Sequence, residues 1–345
     1  MKKWTGALQI AAVYVGTVIG AGFATGREIV EFFSRFGLFG LLTILLAGYL
    51  FIAFGAKLME KAIDLEANSY EQLNEYLFRQ PFAQIMNLLM LCMLIGVCAV
   101  MLSGAGAVFE EQLGFRKMYG IFMTIGLTIF VMKIGTRGLF AVNSFVVPLM
   151  LFFNFILVIK AIGTPSFLQN VLHIPPIEAG WEIIVSPFAY AAFNLALAQA
   201  VLVPIATEVN DKDIVRLGGI IGGVFLTIIL LCSHLTLIML PQLTLYEIPM
   251  GIIVKNTAAN IYIIYICIIY GEIFTSIIGN IYGVEKQLSR YIPVRSMIIY
   301  GGVLIIAFLI SHIEYGKLLS YLYPLFGYIS ILFLFLLAIR CAKEA

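Results

Sequence analysis

The chain has 345 residues, of which 62% are hydrophobic and 12% are charged, and its formal net charge is +2. Because a soluble domain carries about 25% charged residues, this composition excludes an ordinary soluble protein and predicts an all-α integral membrane protein. The small net charge, without a cluster of basic residues, gives no indication of a nucleic-acid partner.

Apolar runs long enough to cross a lipid bilayer recur along the whole chain. We predict ten transmembrane spans, at about 7–33, 38–59, 84–109, 118–134, 138–161, 182–207, 214–240, 257–283, 296–311 and 318–340. Residues 163–180, which contain Pro165, Pro175 and Pro176, are interpreted as an irregular connection between two halves of five spans. The prediction is therefore a single transmembrane domain, 1–345, with repeat one at about 7–161 and repeat two at about 182–340. Since five is an odd number, the second half starts from the opposite side of the membrane, which predicts an inverted repeat.

Lysine and arginine residues in the connections predict the orientation of the spans. With the N-terminus inside, roughly 14 of them fall on the cytoplasmic side and roughly 6 on the outer side, as the positive-inside rule requires. We therefore predict a multi-pass protein of the plasma membrane with both termini in the cytoplasm.

The first span contains an internal irregularity, YVGTVIGAGFATGREIVE, from Tyr14 to Glu31. The whole run covers about 27 residues, or roughly 40 Å of helix, against a hydrocarbon core of roughly 30 Å. Its outer half contains Gly20, Gly22 and Gly26 and then Arg27. This pattern predicts two half-helices around a break, which survives at membrane depth only where protein or a polar cavity satisfies the freed backbone groups. The alternative is a small-residue face for helix packing, but that interpretation does not explain the charges that follow.

A broken first span has defined chemical consequences. Free N–H groups at the start of the second half-helix, Phe23 to Gly26, would suit an anionic group such as a carboxylate. The carbonyl groups of Ile19, Gly20 and Ala21 would suit a cation. The predicted substrate-binding residues of this span are Gly20, Ala21, Gly22, Phe23, Ala24, Thr25 and Gly26.

Arg27 is predicted to be a gate residue on the outer side of the site, in an ion pair with Glu28 or Glu31. The alternative for this arginine is an interfacial side chain that extends to the membrane surface.

The inverted repeat predicts that the sixth span is broken as well. That span contains Ser186, Pro187, Asn194, Gln199 and Pro204, although it has no glycine. Phe193 and Asn194 are the predicted substrate-binding residues there.

The eighth span places Glu272, Thr275, Ser276 and Gly279 on one helical face. The neighbouring hydroxyl oxygens of Thr275 and Ser276 are hard ligands that suit a small cation, and backbone carbonyls could complete the shell. The alternative is that both hydroxyls bond to their own helix. Glu272 is a functional-site candidate because of its depth, as a cation ligand, a proton carrier or a counter-charge to Arg27 or to a substrate amine.

These residues resemble the amino acid–polyamine–organocation superfamily, whose members have the LeuT-type 5+5 inverted repeat. The segment GTVIGAGFATGREI, from Gly16 to Ile29, is similar to the YkvI-like amino acid permeases. The resemblance implies a substrate site at the breaks of spans one and six, and an outer gate at Arg27. It also implies a sodium site at Thr275 and Ser276, completed by carbonyl groups near Ile19. The missing glycine in span six and the presence of Glu272 depart from the pattern of the superfamily.

We therefore expect a secondary active transporter that moves a small zwitterion, an amino acid or a related amine, by alternating access. The coupling ion is expected to be sodium, with proton coupling and a permease-like receptor that does not transport as the alternatives. No nucleotide-binding loop, HExxH sequence or nucleophile motif is present, so we predict no enzymatic activity and no cofactor besides the coupling ion.

Overall fold

The computed structural model describes residues 2–134, 136–176, 180–289, 291 and 293–343. The described residues form fifteen α-helices joined by short turns and loops. In chain order the helices are α1 (Lys2–Val18), α2 (Ala21–Ala24), α3 (Arg27–Phe32), α4 (Leu38–Asp64), α5 (Tyr70–Phe78), α6 (Phe82–Ala107), α7 (Lys117–Ile134), α8 (Thr136–Ile162), α9 (Phe167–Val171), α10 (Gly180–Val209), α11 (Lys212–Leu237), α12 (Pro249–Thr257), α13 (Tyr262–Leu288), α14 (Ser296–Ile310) and α15 (Tyr315–Lys343).

Each of the ten apolar runs overlaps a helix, and the first run overlaps three of them, α1 to α3. By length and composition, the described residues contain six helices that are long and apolar enough to cross a membrane: Leu38–Asp64, Phe82–Gln112, Gly180–Val209, Lys212–Leu237, Ala259–Glu285 and Tyr315–Arg340. Pro148–Ile162 and Ser296–Ile310 are shorter apolar helices. The connection 163–180, interpreted as irregular, contains the short helix α9.

The long helices pack as two groups. One group, here called the core bundle, consists of α1, α4, α10 and α11, and the other, the flanking group, consists of α6, α7, α13 and α14. Within the core bundle, glycines of α11 allow very close helix contacts. A Cβ atom on Gly223 would lie 2.7 Å from the backbone of Ile52 in α4, and one on Gly222 would lie 2.6 Å from the ring of Tyr14 in α1. Small residues therefore set the helix spacing here, as is common in membrane proteins.

The prediction that the sixth span is broken is wrong for this structure, because α10 is one continuous helix from Gly180 to Val209. Its two prolines lie near its ends, and the stretch between them is rich in alanine, which favours helix. The polar side chains bond to neighbours and do not interrupt the helix. Ser186 donates to the carbonyl oxygen of Phe32, and the Asn194 amide donates to the carbonyl of Tyr190 within α10 at 3.0 Å.

Candidate functional site

The first span is broken, as predicted, and it is interrupted twice. Helix α1 ends at Val18, Gly20 is extended with φ −121° and ψ −172°, and α2 then runs for one turn. The second interruption is at Gly26, whose φ of 82° lies in the left-handed region. A Cβ atom there would also lie 2.6 Å from the Met250 side chain. Conformation and packing therefore both require glycine at position 26.

The predicted role of the N–H groups from Phe23 to Gly26 is wrong. Phe23 and Ala24 both donate to the Gly20 carbonyl, Thr25 donates to Ala21, and Gly26 donates to Phe23. Each of these donors is already bonded within the short helix, so none is free for a substrate carboxylate. In such a helix only the first-turn N–H groups, here those of Ala21 and Gly22, lack a helical acceptor.

A cavity of about 400 Å³ lies between the core bundle and the flanking group. Five predicted site residues line it: Gly20, Phe193, Asn194, Thr275 and Ser276. The other predicted residues of α2 and its ends are buried in the protein: Ile19, Ala21, Gly22, Phe23, Ala24 and Thr25. The exposed residues Gln9 and Ala12 of α1 also line the cavity, which therefore extends toward the N-terminal end of that helix.

The side of the break nearer α3 is closed by contacts. The Arg27 guanidinium group donates to the carbonyl oxygens of Thr244 at 2.5 Å and Tyr246 at 3.0 Å, and to the Ser320 hydroxyl at 3.2 Å. The Met250 N–H group donates to the Thr25 carbonyl at 3.0 Å. These bonds tie Arg27 of α3 to the connection between α11 and α12 and to α15, and they tie the turn before α3 to α12.

The predicted ion pair of Arg27 with Glu28 or Glu31 is not formed among the described residues, where the acceptors of Arg27 are two carbonyl oxygens and a hydroxyl group. Glu31 accepts a hydrogen bond from the Ser320 hydroxyl at 2.9 Å and pairs with Arg35 at 3.5 Å. Arg27 and Glu31 therefore share the Ser320 hydroxyl. Glu28 lies on another face of α3, because successive helical residues project in different directions.

Glu28 is the site residue that sequence reasoning missed. Its side chain is only 3% exposed, and it lines the cavity together with Asn194. The Asn194 amide approaches one carboxylate oxygen at 3.5 Å, and the other oxygen would lie 2.5 Å from a Cβ atom on Gly22. A charged residue inside a span is itself a signal of function. The sequence analysis instead treated Glu28 as an ion-pair partner of Arg27 and did not predict it as a residue of the cavity.

The eighth-span residues Thr275 and Ser276 lie beside the break in the first span. The Ser276 hydroxyl oxygen is 3.0 Å from the position of a Cβ atom on Gly20. The Thr275 hydroxyl donates to the Glu272 carbonyl oxygen at 3.1 Å, which is the back-bonding alternative, but its lone pairs stay available. This geometry is compatible with a small cation held between α1 and α13.

Glu272 is fully buried, and it is not among the residues that line the cavity. Neither of its carboxylate oxygens has a hydrogen-bond partner among the described residues. A buried polar group without a hydrogen-bond partner requires an explanation. The two candidates are that the carboxylate carries a proton or that it binds a cation.

Two solved transporter structures share this architecture. A crystal structure of the manganese transporter from Eremococcus coleocola matches with a TM-score of 0.66 at 14% identity, over 94% of this chain and 76% of that one. A crystal structure of MhsT in complex with L-phenylalanine matches with a TM-score of 0.61 at 14% identity, over 96% of this chain and 98% of that one. At this identity the likeness shows the fold, which is that of the LeuT-type membrane transporters.

The chain is 48% identical over 337 residues to the uncharacterized membrane protein YkvI of Bacillus subtilis (strain 168), over 98% of this chain and 96% of that protein. It therefore belongs to the YkvI family, as the resemblance of the first span implied. No protein-family model matches it. The proteins named here are membrane proteins and transporters, in agreement with the prediction that the chain is not an enzyme.

Proposed function

We propose that this multi-pass membrane protein is a secondary active transporter that moves a small zwitterionic solute, an amino acid, by alternating access. The observation that carries the proposal is the cavity beside the broken first span, closed on the side of Arg27 and extending toward Gln9 and Ala12 on the other. Alternating access requires such a site, reachable from one side at a time.

The proposal includes the topology predicted from the sequence. The chain has ten spans in two inverted halves, about 7–161 and 182–340, in the plasma membrane with both termini in the cytoplasm. The contact between α1 and α4 of the first half and α10 and α11 of the second supports this arrangement, since the paired helices come from corresponding positions. The cavity then faces the cytoplasm in this structure.

An amino acid fits the walls of the cavity. Most of the lining is apolar, with Val97 and Met101 of α6 and Leu197 and Val201 of α10, and polar side chains, among them Glu28, also line the cavity. Small-molecule sites typically combine an apolar wall with a few placed polar groups. The presence of L-phenylalanine in the MhsT structure supports the same solute class.

The manganese transporter favours a different cargo, a divalent metal ion. Against this, no three histidine, cysteine, aspartate or glutamate side chains of the described residues form a group that could hold a metal ion. Among the described residues, Glu28 is the acidic residue that lines the cavity. An organic solute is therefore the better match to the site.

Sodium is the proposed coupling ion, held by the hydroxyl oxygens of Thr275 and Ser276 and the carbonyl of Ile19. Replacing Thr275 and Ser276 together by alanine is expected to remove sodium-dependent stabilisation of the purified protein. For the unmodified protein, sodium at 100 times its Kd raises the free energy of unfolding by about 2.7 kcal/mol. The measurement is thermal unfolding in sodium and in potassium, with and without amino acids, followed by uptake into proteoliposomes.

Thr227→Ala is the control for this experiment, because Thr227 also bonds to its own helix, at 2.7 Å from the Gly223 carbonyl, but does not line the cavity. Sodium stabilisation that survives in the double variant would refute the sodium site. Binding of an amino acid without any counterflow in proteoliposomes would favour the receptor.

Proton coupling is the second candidate, because the buried oxygens of Glu272 have no described partner. In that case Glu272→Gln removes the pH dependence of uptake, and sodium has no effect.

A further inference from the structure

The Glu28 carboxylate is an acidic group on the cavity wall that lacks a cationic partner among the described residues. The neighbouring arginine, Arg27, directs its guanidinium group to Thr244, Tyr246 and Ser320 instead. The amide of Asn194, at 3.5 Å, is a long and therefore weak donor. Glu28 is thus a buried carboxylate, and the cavity lies directly beside it.

A buried carboxylate is stable as an anion only when a positive charge and hydrogen-bond donors compensate for its lost hydration. A cavity of about 400 Å³ offers room for a small organic molecule. The missing positive charge can therefore come from a ligand in the cavity.

Gly22 fixes the position of this carboxylate. A side chain at position 22 would meet the Glu28 carboxylate oxygen at 2.5 Å, so glycine is the residue that leaves room for it. The role of Gly22 in the GAGFATG segment is then to leave space for the Glu28 carboxylate. The protein itself therefore supplies a negative charge to the site.

The walls around Glu28 define the rest of the ligand. The rest of the lining includes the apolar Leu94, Val97 and Met101 of α6 and Phe193 of α10, together with polar side chains of α13 at Thr275, Ser276 and Asn280. Such a lining matches a molecule with one cationic nitrogen and an apolar body.

We propose that Glu28 binds the ammonium group of the transported solute, and that the solute class is primary ammonium compounds with an apolar body. Apolar amino acids and the corresponding amines share this chemistry. The inference rests on the proposed function and assigns to its site the group that selects the solute.

The test uses matched probes that differ only in the ammonium or the carboxylate group. Suitable sets are leucine, 3-methylbutylamine and 4-methylpentanoate, and phenylalanine, 2-phenylethylamine and 3-phenylpropanoate. Their affinities for the purified full-length protein are measured in sodium by thermal unfolding and by calorimetric titration. The unmodified protein is expected to bind the ammonium compounds and to bind the two carboxylates without nitrogen at least about tenfold more weakly, since a hydrogen bond to a charged group is lost.

Glu28→Gln keeps the shape of the side chain and removes its charge. It is expected to lower the affinity for the ammonium compounds by about 10- to 100-fold, which corresponds to one charge-assisted hydrogen bond. Glu182→Gln is the matched control, because Glu182 pairs with Arg35 at 2.9 Å and does not line the cavity. This control should bind all probes as the unmodified protein does.

The outcomes separate this inference from the proposed function. Unchanged affinity for the ammonium compounds in Glu28→Gln overturns the inference and leaves an amino acid transporter in place. Equal binding of the nitrogen-free carboxylates by the unmodified protein does the same, whereas binding of none of the six probes overturns both proposals. If Glu28→Gln does not fold, Glu28→Asp replaces it, and a weaker affinity for the ammonium compounds alone is the supporting result.

Discussion

The first span and helix α10 are packed against each other in the core bundle, but only the first span is interrupted. Both carry residues that disfavour regular helix, namely glycines in the first span and prolines with polar side chains in α10. The difference between them lies in what each residue does to the backbone. Gly26 adopts a φ of 82°, which interrupts the helix between α2 and α3, whereas Pro187 and Pro204 stay inside a helix.

This difference shows that a break in a membrane span requires new acceptors and donors for the backbone groups that it frees. At the first span these are supplied, since Met250 donates to the Thr25 carbonyl and Tyr265 donates to the Ala24 carbonyl at 3.3 Å. In α10 the polar side chains bond either to another helix, as Ser186 does with Phe32, or within α10, as Asn194 does with Tyr190. A break therefore depends on the neighbouring elements as much as on the span itself.

The largest effect is expected from Gly26→Ala. The left-handed conformation costs about 1–2 kcal/mol for a residue with a Cβ atom, and a contact at 2.6 Å with Met250 adds an overpacking cost of about 1–3 kcal/mol. We expect a large drop in thermal stability and loss of solute binding, measured by thermal unfolding with and without the ligand.

Gly301→Ala in α14 is the control for this substitution, because nothing lies within 4 Å of its Cβ position. Alanine there should leave stability unchanged or raise it by up to about 1 kcal/mol. Equal stability of the two variants would mean that the break does not depend on the conformation of Gly26.

Much of this contrast was predictable from the first span and little of it from α10. The glycines and charges after Tyr14 predicted a break, because both features are expensive in a membrane helix without a local reason. The predicted inverted repeat then led to the prediction of a second break in α10. The absence of glycine from that span would have predicted the continuous helix correctly. Gly20, Phe193, Asn194, Thr275 and Ser276 were predicted as a site and do line one cavity.

The role of Glu28 depended on side-chain direction, which a single sequence does not contain. The sequence places Glu28 next to Arg27, and an ion pair is the simplest interpretation of adjacent charges. In the folded chain the partners of Arg27 come from residues more than two hundred positions away, Thr244 and Tyr246. These long-range contacts leave Glu28 free to face the cavity.

A moderate effect is expected from Arg27→Gln, which weakens the contacts that close the interrupted region. The variant loses hydrogen bonds from a charged donor to three acceptors, at a cost of about 1–2 kcal/mol for a partly exposed group. We expect hydrogen exchange of the Met250 amide, which reports on the contact with Thr25, to accelerate about tenfold.

Arg216→Gln serves as the control for exchange, because its ion pair with Glu60 lies at the surface, where Arg216 is 69% exposed. Such a pair contributes little, so the exchange rate of the Met250 amide should not change. An unaltered rate in Arg27→Gln would show that α12 is held against the break by other contacts.

The smallest effect is expected from Pro187→Ala, which tests whether α10 has to break at all. Pro187 has no N–H group, so the Ile183 carbonyl lacks its helical donor, and alanine restores that bond. Since the helix already continues through this position, stability should stay within about 1 kcal/mol or rise, and uptake should be retained.

The neighbouring substitution Ser186→Ala sharpens the comparison, because it removes the hydrogen bond to the Phe32 carbonyl at the end of α3. Its expected cost is about 1 kcal/mol, which makes the polar contact between the spans more important than the proline beside it. Thermal unfolding and uptake of both variants decide between the two residues. If Pro187→Ala folds normally but loses uptake, α10 must bend at this proline in another state of the transport cycle, and the contrast between the two spans would then belong to one conformation only.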